Sequence, residues 1–457
     1  MTTEDTENTE ELKSGMLEIE VALVREHSEP LIFLQDPKKP RIPLINLKIT
    51  HPRLSPSPSI LSYSCASLGL GICFLGISAV DLHAAESAPP ATLPAQAAER
   101  PATLRRPPFS WDKVPIYQMF GDGNRLLNDA EISSVAGSSD FLCIEKSHGV
   151  KKTGCAKLGA AQEIARFKQI DPKTFCLFYF NSAYAYPYTT DSKVFGKKVI
   201  GEPFRSFLLL DPQTGEPKRR GIVPMFDVLK PEFRTWWAEA VGKGVRESGA
   251  DGLFVDQMHG FAFERRKQQT EVAAAQAEMM RMAKVAIGPE KILLLNNGEH
   301  IPALFEIGDA FMFEHFNPDQ LSKEAIVRDW DLMKKISAAG KISVWRIGVN
   351  KEPEGAKCVS GADFEKFARE RLSYYLAAFL IGAQPYSYFQ YGWGWTLHSG
   401  CLVEYPEFSK PLGAPKAEAT RPDPAAWIFT REFEKAKVRV DIDNQVGEIE
   451  WIEPEKN

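Results

Sequence analysis

The stretch DGLFVDQM (251–258) decides the fold, because a short apolar run ends there in a carboxylate, Asp256. The residues before it, PEFRTWWAEAVGKGVRESG (231–249), have the spacing of an amphipathic helix, with Pro231 in its first turn and Gly249 after its last. A second apolar run, KILLLNN (291–297), follows further along the chain. Short strands that alternate with helices of this length indicate parallel β/α construction.

The same unit repeats from Phe109 onward. Eight apolar runs, each followed by a helical stretch, are VPIYQMFG (114–121), FLCIEKSHG (141–149), TFCLFYFN (174–181), 251–258, 291–297, DAFMFEHF (309–316), KISVWRIGV (341–349) and AQPYSYFQYGW (383–393). Another helix is predicted over GADFEKFARERLSYYLAAFLIG (361–382), with Gly382 as its end signal. This pattern predicts an α/β fold, a (β/α)₈ TIM barrel over 109–400. An open doubly wound sheet is the alternative, but it normally has a glycine-rich ligand loop after its first strand.

Residues 401–457 differ in character from the barrel. A proline-containing loop leads into three short alternating runs, WIFTREF (427–433), KVRVDID (437–443) and GEIEWI (447–452). We therefore expect a small C-terminal β-rich element packed on the barrel.

The first hundred residues do not resemble the rest. Residues 1–50 are polar and irregular, and we expect them not to belong to the working protein. Segment 51–86 has the order of a secretory signal: a basic flank, the apolar core LGLGICFLGISAV (68–80), and small residues that place a cut near Ala84 or Ala85. An Ala/Pro-rich linker follows at 87–108. We expect an exported protein, periplasmic or extracellular, without stable membrane insertion after cleavage; a membrane anchor or a chance apolar run is the alternative.

Composition excludes several classes of partner. The net charge of −5 gives no reason to expect binding to nucleic acid. The sequence has no zinc-ligand cysteine spacing, phosphate loop or dinucleotide fingerprint, so we expect neither a metal nor a cofactor.

Polar and aromatic residues collect at the predicted strand ends, where a (β/α)₈ barrel carries its active site. Aromatic faces suit sugar rings, and amide, carboxylate and imidazole groups suit hydroxyls. The residues that we expect to bind substrate are Glu145, Lys146, His148, Asn181, Tyr184, His259, Asn297, His300, His315, Trp345, Arg346, Tyr388, Trp393 and Trp395. Taken one at a time, such residues also cap helices or complete the packing. Their concentration on one rim favours a site.

Two carboxylates stand out among them. Asp256 ends the fourth run and Glu314 ends AFMFE in the sixth, so only one strand separates them. Hydrolysis of a glycosidic bond needs two carboxyl groups, one to protonate the leaving oxygen and one to attack or to activate water. The sequence therefore predicts Asp256 and Glu314 as the catalytic pair of a glycoside hydrolase that acts on a carbohydrate.

The residues 110–457 also resemble a known family. DGLFVDQM is similar to the strand-four signature of retaining glycoside hydrolase barrels, and FMFEHF to their strand-six position; the whole resembles the hypothetical glycosyl hydrolase family 15. The resemblance implies Asp256 as nucleophile and Glu314 as general acid/base. Glu299, one strand earlier, is the alternative acid, as in amylase-like barrels, and Glu145 is a further candidate.

Two other classes remain open. Rim histidines and carboxylates also suit a metal-dependent hydrolase or lyase, although each histidine comes from a different strand. A non-catalytic carbohydrate-binding barrel would keep the aromatic residues without needing the carboxylate pair. Lys146, Arg205 and Arg346 hint at an anionic sugar, but such residues also serve as surface or pairing charges.

Overall fold

The computed structural model describes residues 103–314, 316–349 and 360–452. Its centre is one sheet of eight parallel strands, which pair in chain order. The strands are β1 (Tyr117–Phe120), β2 (Phe141–Ile144), β3 (Phe175–Asn181), β4 (Gly252–Asp256), β5 (Ile292–Asn296), β6 (Ala310–Phe313), β7 (Ile342–Gly348) and β8 (Ser387–Gly392). A parallel bridge between Ile116 and Phe389 joins the first strand to the last and closes the cylinder. The prediction of a (β/α)₈ barrel is confirmed, and each predicted apolar run contains one of its strands.

Helices surround the strands of this barrel. Within the described residues they are α1 (Asp129–Ser138), α2 (Val150–Thr153), α3 (Ala156–Ile170), α4 (Pro231–Ser248), α5 (Gly260–Glu264), α6 (Gln269–Ile287), α7 (Pro302–Ile307), α8 (Lys323–Ala338), α9 (Gly361–Gly382) and α10 (Pro406–Ser409). Capping boxes at Asn128 and Ser360 fix where α1 and α9 begin, since each side chain accepts a hydrogen bond from a backbone N–H in the first turn.

The two glycine signals behave differently. Gly249 is the left-handed residue that ends α4, with φ 69°, as its place after the last turn predicts. The sequence predicts the same role for Gly382, but this glycine is the last residue inside α9, and Ala383 follows as the cap. A glycine is needed there for packing, because a Cβ would stand 2.2 Å from the ring of Trp330.

Side chains of the barrel strands alternate between two cores. One core fills the cylinder and includes Phe254 of β4, Leu294 of β5, Met312 of β6 and Val344 of β7. The other lies between the strands and the helices. Because successive strand residues point to opposite faces, the parity of a residue decides which core its side chain enters.

The C-terminal element is an antiparallel sheet of three strands, β9 (Ile428–Glu432), β10 (Ala436–Asp441) and β11 (Val446–Trp451). It packs closely on α9, since a Cβ on Gly447 would stand 2.5 Å from the backbone of Tyr374. The buried guanidinium of Arg431 donates to the carbonyls of Leu380 and Ala383, which places a cation at the C-terminal end of α9. All three predicted strands are confirmed.

The predicted N-terminal extension, signal segment and most of the linker lie outside the described residues and stay predictions. Within the part that is described, none of the helices combines the length and the apolar character needed to cross a bilayer.

Candidate active site

The register of the barrel brings one interior position from each strand to the carboxyl end. At the carboxyl end of the barrel the last interior side chains of neighbouring strands face the same opening and form a staggered last layer; in the register, Asn181 pairs with Asp256 and Gln390 pairs with Arg346. The side chains of that layer, around Gly121 of the first strand, are Glu145, Asn181, Asp256, Asn296, Glu314, Arg346 and Gln390. We call this layer the mouth. Asp256 and Glu314 both belong to it.

The carboxylate of Asp256 receives four hydrogen bonds from the described residues. One oxygen, Oδ2, accepts from the hydroxyl of Tyr179 and from Asn181 Nδ2 at 3.2 Å. The other, Oδ1, accepts from the backbone N–H of Gln257 at 2.7 Å and from Asn296 Nδ2 at 2.9 Å. Gln257 has a left-handed φ of 64°, which a side-chain-bearing residue rarely adopts. Donors on both oxygens fix the position of the carboxylate.

Asn296 also contacts the second carboxylate. The same Nδ2 that donates to Asp256 donates to Glu314 Oε2 at 2.7 Å. Because the two carboxylate oxygens lie 2.9 and 2.7 Å from one nitrogen, they are at most about 5.6 Å apart, the sum of the two distances. Asn297 holds the backbone of the second acid, since its Oδ1 accepts from the N–H of Glu314 at 3.3 Å.

A lysine and a glutamate from the end of β2 join the pair from one side. Glu145 is buried and forms an ion pair with Lys146. Burial raises the pKa of Glu145, against the opposing charge of Lys146, and the charge of Asp256 raises it further. Burial works against the ammonium of Lys146, but the charges of Glu145, Tyr186 and Asp256 outweigh it and raise its pKa. A cation is thereby kept within electrostatic reach of Asp256.

An arginine approaches from the other side. Arg346 is only 3% exposed, and its guanidinium carbon lies 3.9 Å from the ring centroid of Trp395. Its Nη2 donates to the carbonyl of Gly394 at 3.3 Å. Burial lowers the pKa of Arg346 to about 10, while the charge of Glu314 opposes that shift. Predicted site residues from β2, β4, β6 and β7 therefore meet at the mouth.

Three predicted binding residues lie elsewhere, and the structure does not support direct substrate contact by any of them. The ring of His148 is fully buried, and its nitrogens are engaged by the N–H of Asp122 at 3.0 Å and by Glu163 at 3.1 Å. Trp345 has the opposite parity to Arg346 and stacks on Phe313 at 3.8 Å in the outer core. His148 and Trp345 therefore contribute to packing and hydrogen bonding inside the protein.

Tyr388 is the third. It is the second residue of β8 and lies at the amino end of the cylinder, where its hydroxyl donates to the carbonyl of Pro108 at 2.8 Å. Tyr388 lies two residues before Gln390, in the interior below the mouth, and its side chain points away from the mouth toward the amino end.

The alternative acid, Glu299, faces another group. Within the described residues its ion pair is with His300, at 3.5 Å, and its charge acts on Asp329 of α8. Burial first, and then the charge of Glu299, raise the pKa of Asp329 to about 6. In the same described part, no hydrogen bond joins Glu299 to either mouth carboxylate.

The remaining predicted residues that the structure describes lie in loops that follow the strands. Tyr184 is buried, with the guanidinium of Arg220 5.4 Å from its ring. Trp393 stacks at 6.3 Å on Phe364 of α9. His259 is half-buried and precedes α5. His315 lies outside the described residues.

Three side chains of the site were not predicted to bind. Tyr179 donates to the nucleophile candidate, Gln390 lies beside Arg346 in the register, and Asn296 joins both acids. A fourth, Tyr186, has its pKa raised to about 12, chiefly by burial, and Lys146 lies 6.0 Å from its ring. The signal that would have found the first three is the alternation of side chains along each of their own strands, since residues two apart point to the same face.

Metal-ligating residues do not cluster in the described ranges: no group of three or more His, Cys, Asp or Glu side chains there has the geometry to hold an ion.

A closed (β/α)₈ barrel with paired carboxylates at its mouth is an architecture of the glycoside hydrolases. The model of one such family, hypothetical glycosyl hydrolase family 15, matches residues 168–437. That match covers more than half of the chain, so the chain belongs to this family and, with it, to the glycoside hydrolases. No curated protein matches the chain.

Several solved structures are similar to it in fold. Ega3 of Aspergillus fumigatus, in complex with galactosamine, is 14% identical over 67% of this chain and 99% of its own, with a TM-score of 0.39. The glycoside hydrolase domain of PelA from Pseudomonas aeruginosa is 16% identical over 61% and 94%, with a TM-score of 0.38. An α-amylase of Geobacillus thermoleovorans, complexed with acarbose, is 11% identical over 73% and 87%, with a TM-score of 0.42. Identities and scores this low say nothing about substrate.

Proposed function

We propose that this protein hydrolyses a glycosidic bond with retention of configuration, using Asp256 as nucleophile and Glu314 as general acid/base. The observation that supports it is the shared amide of Asn296, which limits the nearer carboxylate oxygens to about 5.6 Å. Retaining enzymes hold their carboxyl groups about 5–5.5 Å apart, whereas inverting enzymes leave about 6.5–9.5 Å for a water molecule. The spacing here leaves no such room between those two oxygens.

The hydrogen bonds support the assignment of roles. A nucleophile must be charged and held still, and Asp256 accepts from Tyr179, Asn181, Asn296 and the backbone of Gln257. In the first step a carboxylate oxygen of Asp256 attacks the anomeric carbon while Glu314 gives its proton to the departing oxygen. In the second step Glu314 takes a proton from water, whose oxygen displaces Asp256 from the same carbon. Two inversions restore the starting configuration.

The test combines two variants with the stereochemistry of the product. Asp256→Asn should lower kcat by about 10⁴-fold or more on whichever glycan of a polysaccharide and aryl-glycoside panel is cleaved. Glu314→Gln should lower it by about 10²–10⁴-fold, and less on an aryl glycoside whose phenolate leaves without a proton. Proton NMR of the first product formed should show the retained anomer.

A matched control comes from the other end of β6. Asp309 precedes that strand and bonds to Lys284 and to the backbone of Leu293 at the amino end of the barrel. Asp309→Asn makes the same chemical change as Asp256→Asn and should leave turnover unaltered. Undiminished turnover in both acid variants, or an inverted product, would refute the proposed mechanism.

A further inference from the structure

Within the described residues, the guanidinium of Arg346 is a buried cation without a fixed counter-ion. Its side chain lies in the mouth, 3% exposed, and its neighbour in the register is Gln390. Its hydrogen bond from Nη2 to the carbonyl of Gly394 uses one of five N–H donors. Among the residues that the structure describes, no carboxylate lies within 4.0 Å of it.

A buried charge of this kind is costly unless a partner meets it. Lys146, the other cation at the mouth, differs from Arg346 because it forms an ion pair with Glu145. Glu314 is the acid whose charge reaches Arg346. In the proposed mechanism Glu314 is protonated, and so uncharged, at the moment when the substrate binds. Arg346 then faces the substrate with no opposing charge.

The surroundings of Arg346 fit a sugar. Trp395 covers one face of the guanidinium and is itself only partly buried. The side-chain oxygen of Gln390 is buried and accepts no hydrogen bond from the described residues. The N–H donors of the guanidinium suit a carboxylate, and the Gln390 oxygen suits a hydroxyl. The ring of Trp395 suits the apolar face of a pyranose.

We propose that Arg346 binds the carboxylate of a uronic acid residue, so that the substrate is a uronate-containing glycan. This inference rests on the proposed function, because it assigns the sugar class to the same mouth. The planar guanidinium offers two parallel donors to the two carboxylate oxygens, and Gln390 accepts a hydrogen bond from a hydroxyl of the same ring. A sulfate ester is the other anionic group that such a fork accepts, and it needs its own arm in the test.

The experiment measures binding to the full-length Asp256→Asn protein, in which turnover is removed. The probes are sodium glucuronate and galacturonate, with glucose, galactose and glucose 6-sulfate for comparison. Adding Arg346→Met should weaken binding of the uronates by about 10-fold or more, the usual value of a charge-assisted hydrogen bond, and should leave the neutral sugars unchanged. Arg346→Lys should weaken it less, since the charge stays and the fork is lost.

Stability supplies a readout that separates binding from folding. Arg346→Met removes a buried charge and keeps the length of the side chain, so its melting temperature should equal or exceed that of the parent. Arg439→Met is the matched control: Arg439 lies on β10, paired with Glu448 of the C-terminal sheet, and its loss should alter neither binding nor sugar preference.

The outcomes distinguish the two proposals. Uronate binding that survives Arg346→Met, tighter binding of glucose 6-sulfate than of both uronates, or equal binding of neutral and acidic sugars would overturn the uronate assignment. Neutral glycosides cleaved in an Asp256- and Glu314-dependent way, without Arg346 dependence, would overturn it and leave the hydrolase standing. Arg346-dependent uronate binding by the Asp256→Asn protein, with no cleavage of uronate-containing glycans by the wild-type protein, would support Arg346 as the uronate-binding residue and overturn the hydrolytic mechanism.

Discussion

The two ends of the barrel interior are built from the same eight strands and have opposite chemistry. At the mouth, Asp256, Glu314 and Arg346 face one another across the last interior layer. At the amino end, which we call the floor, Phe109 packs on Tyr386 at 5.0 Å and on Tyr388 at 5.8 Å. Buried carboxylates and a buried guanidinium meet at the mouth, whereas the floor is built from packed aromatic rings.

The difference between the two ends shows that the floor contributes mainly to stability and the mouth mainly to catalysis. Burying aromatic surface is favourable, so the floor stabilises the barrel without needing polar partners for its rings. Burying carboxylates and a guanidinium is unfavourable, so the mouth is tolerated only because amides, hydroxyls and opposite charges meet those groups. We therefore expect substitutions at the mouth to change turnover and substitutions at the floor to change stability.

The largest effect on turnover is expected from a substitution of Asn296 at the mouth. Asn296→Asp keeps the shape but replaces the shared donor with a third carboxylate between Asp256 and Glu314. We expect kcat to fall by about 10²–10³-fold, because a preorganised donor is lost and a like charge is gained. Asn296→Ala removes the donor without adding charge and should lose less. An alanine variant that is as poor as the aspartate variant would show that the charge does not matter.

A smaller effect is expected beside the mouth, at Asp329. Burial and the charge of Glu299 raise its pKa from 3.8 to about 6. The folded state therefore holds this proton more tightly than the unfolded state, and stability is lost as pH rises from about 4 to about 6. Asp329→Asn removes that loss: its melting temperature should match wild type near pH 3.8, rise above it across the window, and keep the difference at higher pH. A difference that is independent of pH would contradict a titration of Asp329 as its cause.

Glu299→Gln is the companion variant. It removes the second cause of the Asp329 shift and should give part of the same gain in melting temperature. Since no hydrogen bond joins Glu299 to Asp256 or Glu314 within the described residues, turnover should stay within about threefold of wild type. A loss comparable to that of Glu314→Gln would transfer the role of acid to Glu299.

The smallest effect is expected at the floor. Tyr388→Phe removes the hydrogen bond to the carbonyl of Pro108 and should lower the free energy of unfolding by about 1 kcal/mol, with kcat unchanged. Tyr117→Phe is the matched control in the same interior core, because the buried hydroxyl of Tyr117 interacts with the thiol of Cys143, a weak hydrogen-bonding group, and not with a carbonyl. Its loss should be neutral or stabilising. A fall in kcat for Tyr388→Phe would show that the two ends are coupled.

The strands could be predicted from sequence because each is a short apolar run bounded by polar residues. The end of such a run locates the mouth to within one or two residues, which is enough to identify Asp256 and Glu314 as mouth residues. That precision is not enough to choose between neighbours. Trp345 and Arg346 are adjacent in β7, yet the first stacks on Phe313 outside the cylinder and the second enters the mouth. The aromatic ring of Trp345 suggests a surface for sugar binding. Its position in the alternation along β7, however, decides that the ring points out of the barrel interior.

The rest of the site depends on distance along the strand and on loops. Tyr388 lies in an aromatic run, which predicts it as a rim residue. It is the second residue of β8, however, and its side chain belongs to the floor. His148 follows a strand end, but the fold turns it into the protein, where Glu163 of α3 meets it. Such partners come from elements far apart in sequence, so spacing alone could not reveal them.

The aromatic floor has a consequence for how a polymer meets this enzyme. The cylinder is filled by apolar side chains below the mouth and closed by Pro108 and Phe109 at its amino end, so the mouth is its entrance. A long glycan cannot thread through it; the chain either lies across the rim or inserts one terminus. In the proposed mechanism the departing fragment and the incoming water share that same entrance, so we expect the fragment to leave before the water arrives.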